Sequence, residues 1–190
     1  MNTESLFKVL LALGPLSETY KEAIERGIRG LRLPRGYYLL EPPRVAEFTY
    51  FLNNGLAMSY DYGEKRKEVI DFYGPATFIC SPRSFFEQTP STEFVQLLTP
   101  AEVIYFSLPH VLQLFEDFPE SHVIFRQLVI VHEETMRAKI RNMKRISAWH
   151  RYEEVTKKFP GLSQAASQDT IASYLGITKQ SLSRIKKREG

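Results

Sequence analysis

The run Ser167-Gln168-Asp169-Thr170-Ile171-Ala172-Ser173-Tyr174-Leu175-Gly176-Ile177-Thr178-Lys179-Gln180-Ser181-Leu182-Ser183-Arg184-Ile185-Lys186-Lys187 spells two short helices joined by a sharp turn. Ser167 is placed to cap the first helix, which carries Ile171, Ala172 and Leu175 on one face and stops at Gly176, a residue that tolerates positive φ. Thr178 is placed to cap the second, where Leu182 and Ile185 lie on one side at i, i+3 spacing and face the first helix. At about 100° per residue, Gln180, Ser183 and Lys187 centre the opposite face, flanked by Lys179 and Arg184. The pattern is that of a helix-turn-helix with a polar, donor-rich face turned outward.

Such a face suits the major groove of DNA, where each base pair shows a distinct set of donors and acceptors that Arg, Lys and Gln can read, while phosphates require positive charge. Gln180 and Arg184, with Lys179 and Ser183, are assigned to base edges. Ser167, Thr178, Lys186, Lys187 and Arg188 are assigned to phosphates or to helix capping. The charge distribution agrees. The whole chain carries only +3, but residues 1–136 hold 12 Lys and Arg against 18 Asp and Glu, and residues 137–190 hold 13 against 4. An acidic body with a basic end is the balance expected when one end meets a polyanion, with binding that falls steeply as salt rises. A membrane surface is the poorer match, because no strongly apolar face accompanies the basic one.

With 190 residues, 43% of them apolar, the chain can bury one core of about 100–150 residues and a smaller appendage. No apolar stretch is long enough for a membrane span, and residues 6–16 follow Glu4, contain Lys8 and lack a cleavage signal, so a cytoplasmic location is expected. The single Cys80 can form no internal disulfide and cannot supply the several thiolates of an iron–sulfur or structural zinc site.

Residues 31–108 show short alternating segments between turn signals, the pattern of antiparallel strands. Phe48, Tyr50 and Leu52 precede Asn53-Asn54-Gly55, and Leu56, Met58, Tyr60 and Tyr62 follow it, which reads as a hairpin. A second turn is expected at Gly63-Glu64-Lys65. Beyond it Val69, Asp71 and Tyr73 fall on one face of a strand and Glu68, Ile70 and Phe72 on the other. Residues 92–98 and 102–108 flank Thr99-Pro100-Ala101 as a further pair, and residues 78–90, with two prolines, read as a short helix and loop. Hairpins of this kind form a small barrel or roll. Phe51, Tyr60, Phe72, Phe78 and Phe94 are the candidates to fill it.

After Pro109 the period becomes helical. Val111, Leu112, Leu114 and Phe115 form a short helix ending near Phe118-Pro119, and a helix of about 25 residues, roughly 37 Å, then runs to about Met143. Phe125, Val129, His132 and Met136 make one stripe along it, with Leu128, Val131, Thr135 and Ala138 beside them. That apolar surface is broad enough to face both the roll and a second subunit, and a parallel homodimer seam is expected.

A strand-rich roll, a long helix and a helix-turn-helix, in that order, resemble the cyclic-AMP-receptor and fumarate-nitrate-regulator (Crp/Fnr) family of bacterial transcription factors. Residues 171–178 and 181–185 carry the resemblance, supported by Leu33-Pro34-Arg35-Gly36-Tyr37-Tyr38-Leu39-Leu40, Asn54-Gly55-Leu56, and Arg151-Tyr152 ahead of Phe159-Pro160. It implies an α+β fold. An antiparallel cyclic-nucleotide-binding-like roll (1–118) would lead through a dimerisation helix (119–146) to an all-α helix-turn-helix domain (147–190). It implies a homodimer on double-stranded DNA, a small-molecule effector of unknown identity, and RNA polymerase as a further partner.

The departures from the family pattern are equally specific. Cyclic-nucleotide binders in the family carry Gly-Glu for the ribose and Arg-Ser or Arg-Thr for the cyclic phosphate. Here Pro75 follows Gly74, and the phosphate arginine falls at or near Ser91, within Pro90-Ser91-Thr92-Glu93. Losing a guanidinium and gaining Glu93 removes a charge-assisted contact worth about 1.5–3 kcal/mol, so cyclic AMP is not the expected effector. Arg83, reaching back from the loop, is the one replacement on offer, which leaves Gly74, Arg83, Ser91 and Thr92 as the candidate effector pocket. Haem would have to use His132 or His110, each better read as a packed side chain, so no cofactor or metal is expected. The β-hairpin wing that follows the recognition helix in the family is not expected here, which leaves an alternative: a ligand-binding or protein-interaction module that no longer reads DNA. An enzyme is not expected, because no nucleophile–base set, HExxH motif or glycine-rich phosphate loop is present, and His110, His122, His132 and His150 keep no motif spacing.

Overall fold

The structure, a computed structural model, describes residues 2–63 and 66–189. Two amphipathic helices open the chain, α1 (Glu4–Leu13) and α2 (Glu18–Gly27), the second capped by Ser17, which accepts the Tyr20 N–H. Strands β1 (Arg29–Leu33), β2 (Tyr38–Leu40), β3 (Phe48–Asn54), β4 (Ala57–Tyr62), β5 (Lys67–Tyr73) and β6 (Thr77–Ile79) follow. A short helix α3 (Pro82–Glu87) then leads to β7 (Phe94–Leu97) and β8 (Ala101–Ser107). The rest is helical: α4 (Leu108–Asp117), α5 (Pro119–Arg145), α6 (Ala148–Lys158), α7 (Leu162–Ala165), α8 (Gln168–Tyr174) and α9 (Lys179–Glu189).

The strands form two four-stranded antiparallel sheets. The first has the order β1-β8-β3-β6 and the second β2-β7-β4-β5. Gly55, at φ +105°, turns the β3–β4 hairpin, and its Cα stands so close to Ala101 that an added Cβ would fall 2.7 Å from that residue's own Cβ. Between the sheets lie Leu39, Leu40, Leu52, Ala57, Ile79, Phe85, Val95, Leu97 and Val103.

The outer faces of both sheets are covered as well. Leu6, Leu10, Ile24, Leu114 and Ile124 from α1, α2, α4 and α5 pack on Phe51, Ile104 and Phe106 of the first sheet. On the second, Leu56, Met58, Tyr60, Val69 and Phe72 join Tyr152, Val155, Phe159, Leu162, Ile171, Ala172, Leu175 and Leu182 in one continuous core. The head, α6 to α9, therefore shares its hydrophobic core with the roll.

Several expectations need correction. None of Phe51, Tyr60, Phe72, Phe78 and Phe94 fills the roll: Phe51 and Phe78 lie under the N-terminal helices, and Tyr60, Phe72 and Phe94 lie under or beside the head. Period-two alternation separates two faces of a strand but does not say which is internal when both are buried. The two-face reading of β5 also fails. A bulge opposite Ser59 and Tyr60 shifts the register, so Val69 and Phe72 turn to the same side. Phe78, expected in a loop, belongs to β6. The turn at Gly63-Glu64-Lys65 lies partly outside the described residues. The long helix matches expectation, running 27 residues, with Phe125, Val129, Val131, Ile140 and Met143 exposed along it. Among the described residues, no helix is long and apolar enough to cross a membrane.

Candidate nucleic-acid interface

Ser167 and Thr178 start α8 and α9 in the same way. Each side-chain oxygen accepts the backbone N–H three residues on, Thr170 and Ser181, both at 3.1 Å, satisfying a donor that a helix start leaves unpaired. Between the helices Gly176 takes φ +69°, and the Ile177 N–H donates to the Ala172 carbonyl at 3.0 Å. Leu182 is wholly buried against this turn, which fixes the second helix across the first. With that side anchored, Lys179, Gln180, Arg184 and Lys187 are exposed and Ser183 is half-buried.

Lys179 and Lys186, both predicted contacts, are already engaged. Lys179 Nζ lies 3.0 Å from Asp169 Oδ2, in the first turn of α8. Lys186 turns toward α6, its Nζ 5.2 Å from the Tyr152 ring centre. Burial raises the Tyr152 phenol, but hydrogen bonds to Ser163 and Lys186 and the Lys186 charge outweigh it and hold the group below its ordinary value.

The head is tied to the roll by polar groups to which the sequence assigned no such role. Strand β5 is the edge of its sheet, and Ser173 closes that edge from α8. Its Oγ accepts the Val69 N–H at 3.0 Å and donates to the Lys67 carbonyl at 3.2 Å. Beside it, Tyr174 packs on Phe72 with ring centres 4.8 Å apart. Lys139 of α5 places its ammonium 3.9 Å from the Tyr174 ring centre, 4.0 Å from Asp71 Oδ1, and on the Ile70 carbonyl. Arg35 of the roll donates to the Ala165 carbonyl at 3.0 Å. Arg151 joins the ends of two helices, donating to Ile146 O at 2.7 Å and Leu175 O at 3.0 Å, where the helix dipoles favour a cation.

Two clefts open along this joint. One of about 450 Å³ lies between Arg66, Lys67 and Val69 of the roll and Ser167, Asp169, Thr178, Lys179 and Gln180 of the head. The other, about 190 Å³, lies where α5, α6, α8 and β5 meet, lined by Asp71, Lys139, Arg151 and Tyr174 among others.

The candidate effector residues line neither cleft. Gly74 sits at the head joint, where a Cβ would come 3.1 Å from Phe159 Cδ1. Arg83 has an 84% exposed side chain and pairs with Glu87 at 3.2 Å instead of reaching back. Ser91 is buried and bonded to the Glu93 backbone, both contacts 3.0 Å, while Thr92 is exposed. The roll's polar groups are instead Glu93, whose Oε1 accepts from Ser81 at 3.3 Å, and a Ser59–Tyr73 hydroxyl pair at 3.2 Å. Burial lifts the Glu93 carboxyl above the usual carboxylate range, against the Ser81 bond that lowers it. Among the described residues, no group of three or more His, Cys, Asp or Glu side chains is placed to hold a metal.

No family model matches the chain, and no curated protein matches it by sequence. Solved structures do match it. The c-di-GMP responsive global regulator CLP of Xanthomonas campestris superposes with a TM-score of 0.68 at 15% identity, over 90% of this chain and 91% of that one. The fold is that of the Crp/Fnr regulators. DNR from Pseudomonas aeruginosa gives 0.56 at 20% identity over 100% of this chain and 89% of its own. The Thermus thermophilus catabolite activator protein gives 0.57 at 13%, covering 94% and 85%. The Crp/Fnr fold thus extends over roll, long helix and head together, in the order the sequence resemblance implied.

Proposed function

We propose that the chain is a homodimeric, sequence-specific DNA-binding transcription regulator whose roll does not take cyclic AMP. The observation that carries this is the head itself: two capped helices locked by Gly176 and Leu182, with Gln180, Arg184 and Lys187 presented on the outer side of α9. Helix α5 supports the dimer, because Phe125, Val129 and Met143 leave an apolar stripe uncovered in the single chain. Two chains paired along it would set their recognition helices about 34 Å apart, in successive major grooves. Glu93 and Ser91 support the exclusion of cyclic AMP, since a half-buried carboxyl stands near where a phosphate would need a guanidinium.

Selection from a randomised duplex pool at near-physiological salt tests the reading. The expected result is a two-fold-symmetric site, with Arg184→Ala reducing discrimination at one base position by about 1–3 kcal/mol. Binding without an enriched site would favour the module that no longer reads DNA.

A further inference from the structure

We propose that the end of the β4–β5 hairpin, through Arg66 and Lys67, is part of the DNA-backbone interface, so that the sensory roll itself touches the nucleic acid beside the recognition helix. The inference rests on the DNA-binding reading above and extends it to a part of the molecule outside the head.

Arg66 and Lys67 form the roll-side wall of the larger cleft, facing Ser167, Thr178, Lys179 and Gln180. A helix-turn-helix lays its first helix across the phosphate backbone and puts the N-terminal residues of its second at the base edges. The cleft is bounded by those two parts, the start of α8 and the start of α9. A strand of backbone crossing α8 therefore runs along the opening that Arg66 and Lys67 close from the other side.

Charge favours that occupant. Arg66 is exposed and makes no ion pair among the described residues. The Lys67 ammonium is held 3.5 Å from the Tyr60 ring centre, which fixes it at the wall without neutralising it. Among the described residues Asp169 is the one carboxylate lining the cleft, and Lys179 already pairs with it. Glu68, next along the strand, lies over Gly63 and is absent from the lining. The wall is also fixed relative to the reader. Ser173 bonds to both Lys67 and Val69, and Val69 shares a core with Ile171 and Ala172, so hairpin and α8 meet the duplex as one surface.

The test is a salt series of binding titrations of the full chain on its selected duplex and on a random one. Arg66→Gln is expected to weaken both by a similar factor, about threefold to tenfold, and to lower the slope of log K against log salt by about 0.9. Lys8→Gln, an exposed charge removed from α1, is expected to leave the slope alone. Arg66→Glu should deepen the loss, and because Arg66 is exposed the melting temperature should not move. An Arg66→Gln slope equal to that of Lys8→Gln, while Lys187→Gln still lowers it, would overturn the hairpin contact and leave the DNA reading intact. A loss confined to the selected duplex would equally overturn it, placing Arg66 at base edges. Wild-type protein that binds neither duplex would remove both proposals together.

Discussion

The two outer faces of the roll are covered in different ways. Over the first sheet, Leu6, Leu10, Ile24, Leu114 and Ile124 meet Phe51, Ile104 and Phe106, carbon against carbon. Over the second, the head adds Ser173 on an edge strand, Lys139 between Asp71 and Tyr174, and Arg35 on Ala165, with clefts opening between them. Apolar burial is strong and indifferent to orientation, whereas hydrogen bonds weaken steeply once distance or angle is lost. The first cover holds the roll together; the second holds the head in one orientation.

Three changes probe that contrast, from the largest effect to the smallest. Phe51→Ala empties a fully buried site under the N-terminal helices and should cost about 3–5 kcal/mol of global stability in denaturant unfolding. A cost nearer that of a surface change would mean that this cover is not structural. Ser173→Ala leaves the Val69 N–H and the Lys67 carbonyl without their partner, at about 1–3 kcal/mol. Hydrogen exchange should accelerate at Val69 and not at Phe51, and equal protection at Val69 in both proteins would break the comparison.

The smallest effect is a pH dependence on the first side. Burial holds His110 below its ordinary value, the Ile24 carbonyl bond pulls the other way, and the nearby Arg29 charge adds to the lowering. The folded chain therefore takes up this proton less readily than the unfolded one. Its contribution to stability is complete above the unfolded value of about 6.5 and declines as pH falls below it. Denaturant midpoints at pH 7.5 and 5.5 should differ less in His110→Gln than in the wild type. An unchanged difference would assign the dependence to other groups.

What the sequence disclosed follows the range of the interactions. The caps at Ser167 and Thr178, the turn at Gly176 and the i, i+3 pair in α9 are local, and all are legible from neighbouring letters. So were the β3–β4 turn and the length of α5. The inside of the roll was not, because Phe51 and Leu52 are both fully buried, on opposite faces, and alternation alone cannot rank them. The two opening helices left a usable signal in Leu6 and Leu10 at i, i+4 and in Ser17 as an N-cap. Ser173 gave no signal, since its partners lie more than 100 residues away. The same distance hid Arg66 and Lys67 from a reading that confined the interface to the last quarter of the chain.

The continuous core between β5 and the head bears on how such proteins can be recombined. Phe159, Leu162, Ile171 and Leu175 are buried partly by Phe72 and Val69, residues of another part of the chain. A head transplanted onto a different roll would carry that greasy underside with it and find no matching surface there. On the DNA-binding reading, new specificities are thus more accessible by rewriting the outer letters of α9 in place than by exchanging modules, because the scaffold beneath those letters includes Val69 and Phe72, more than 100 residues upstream of them.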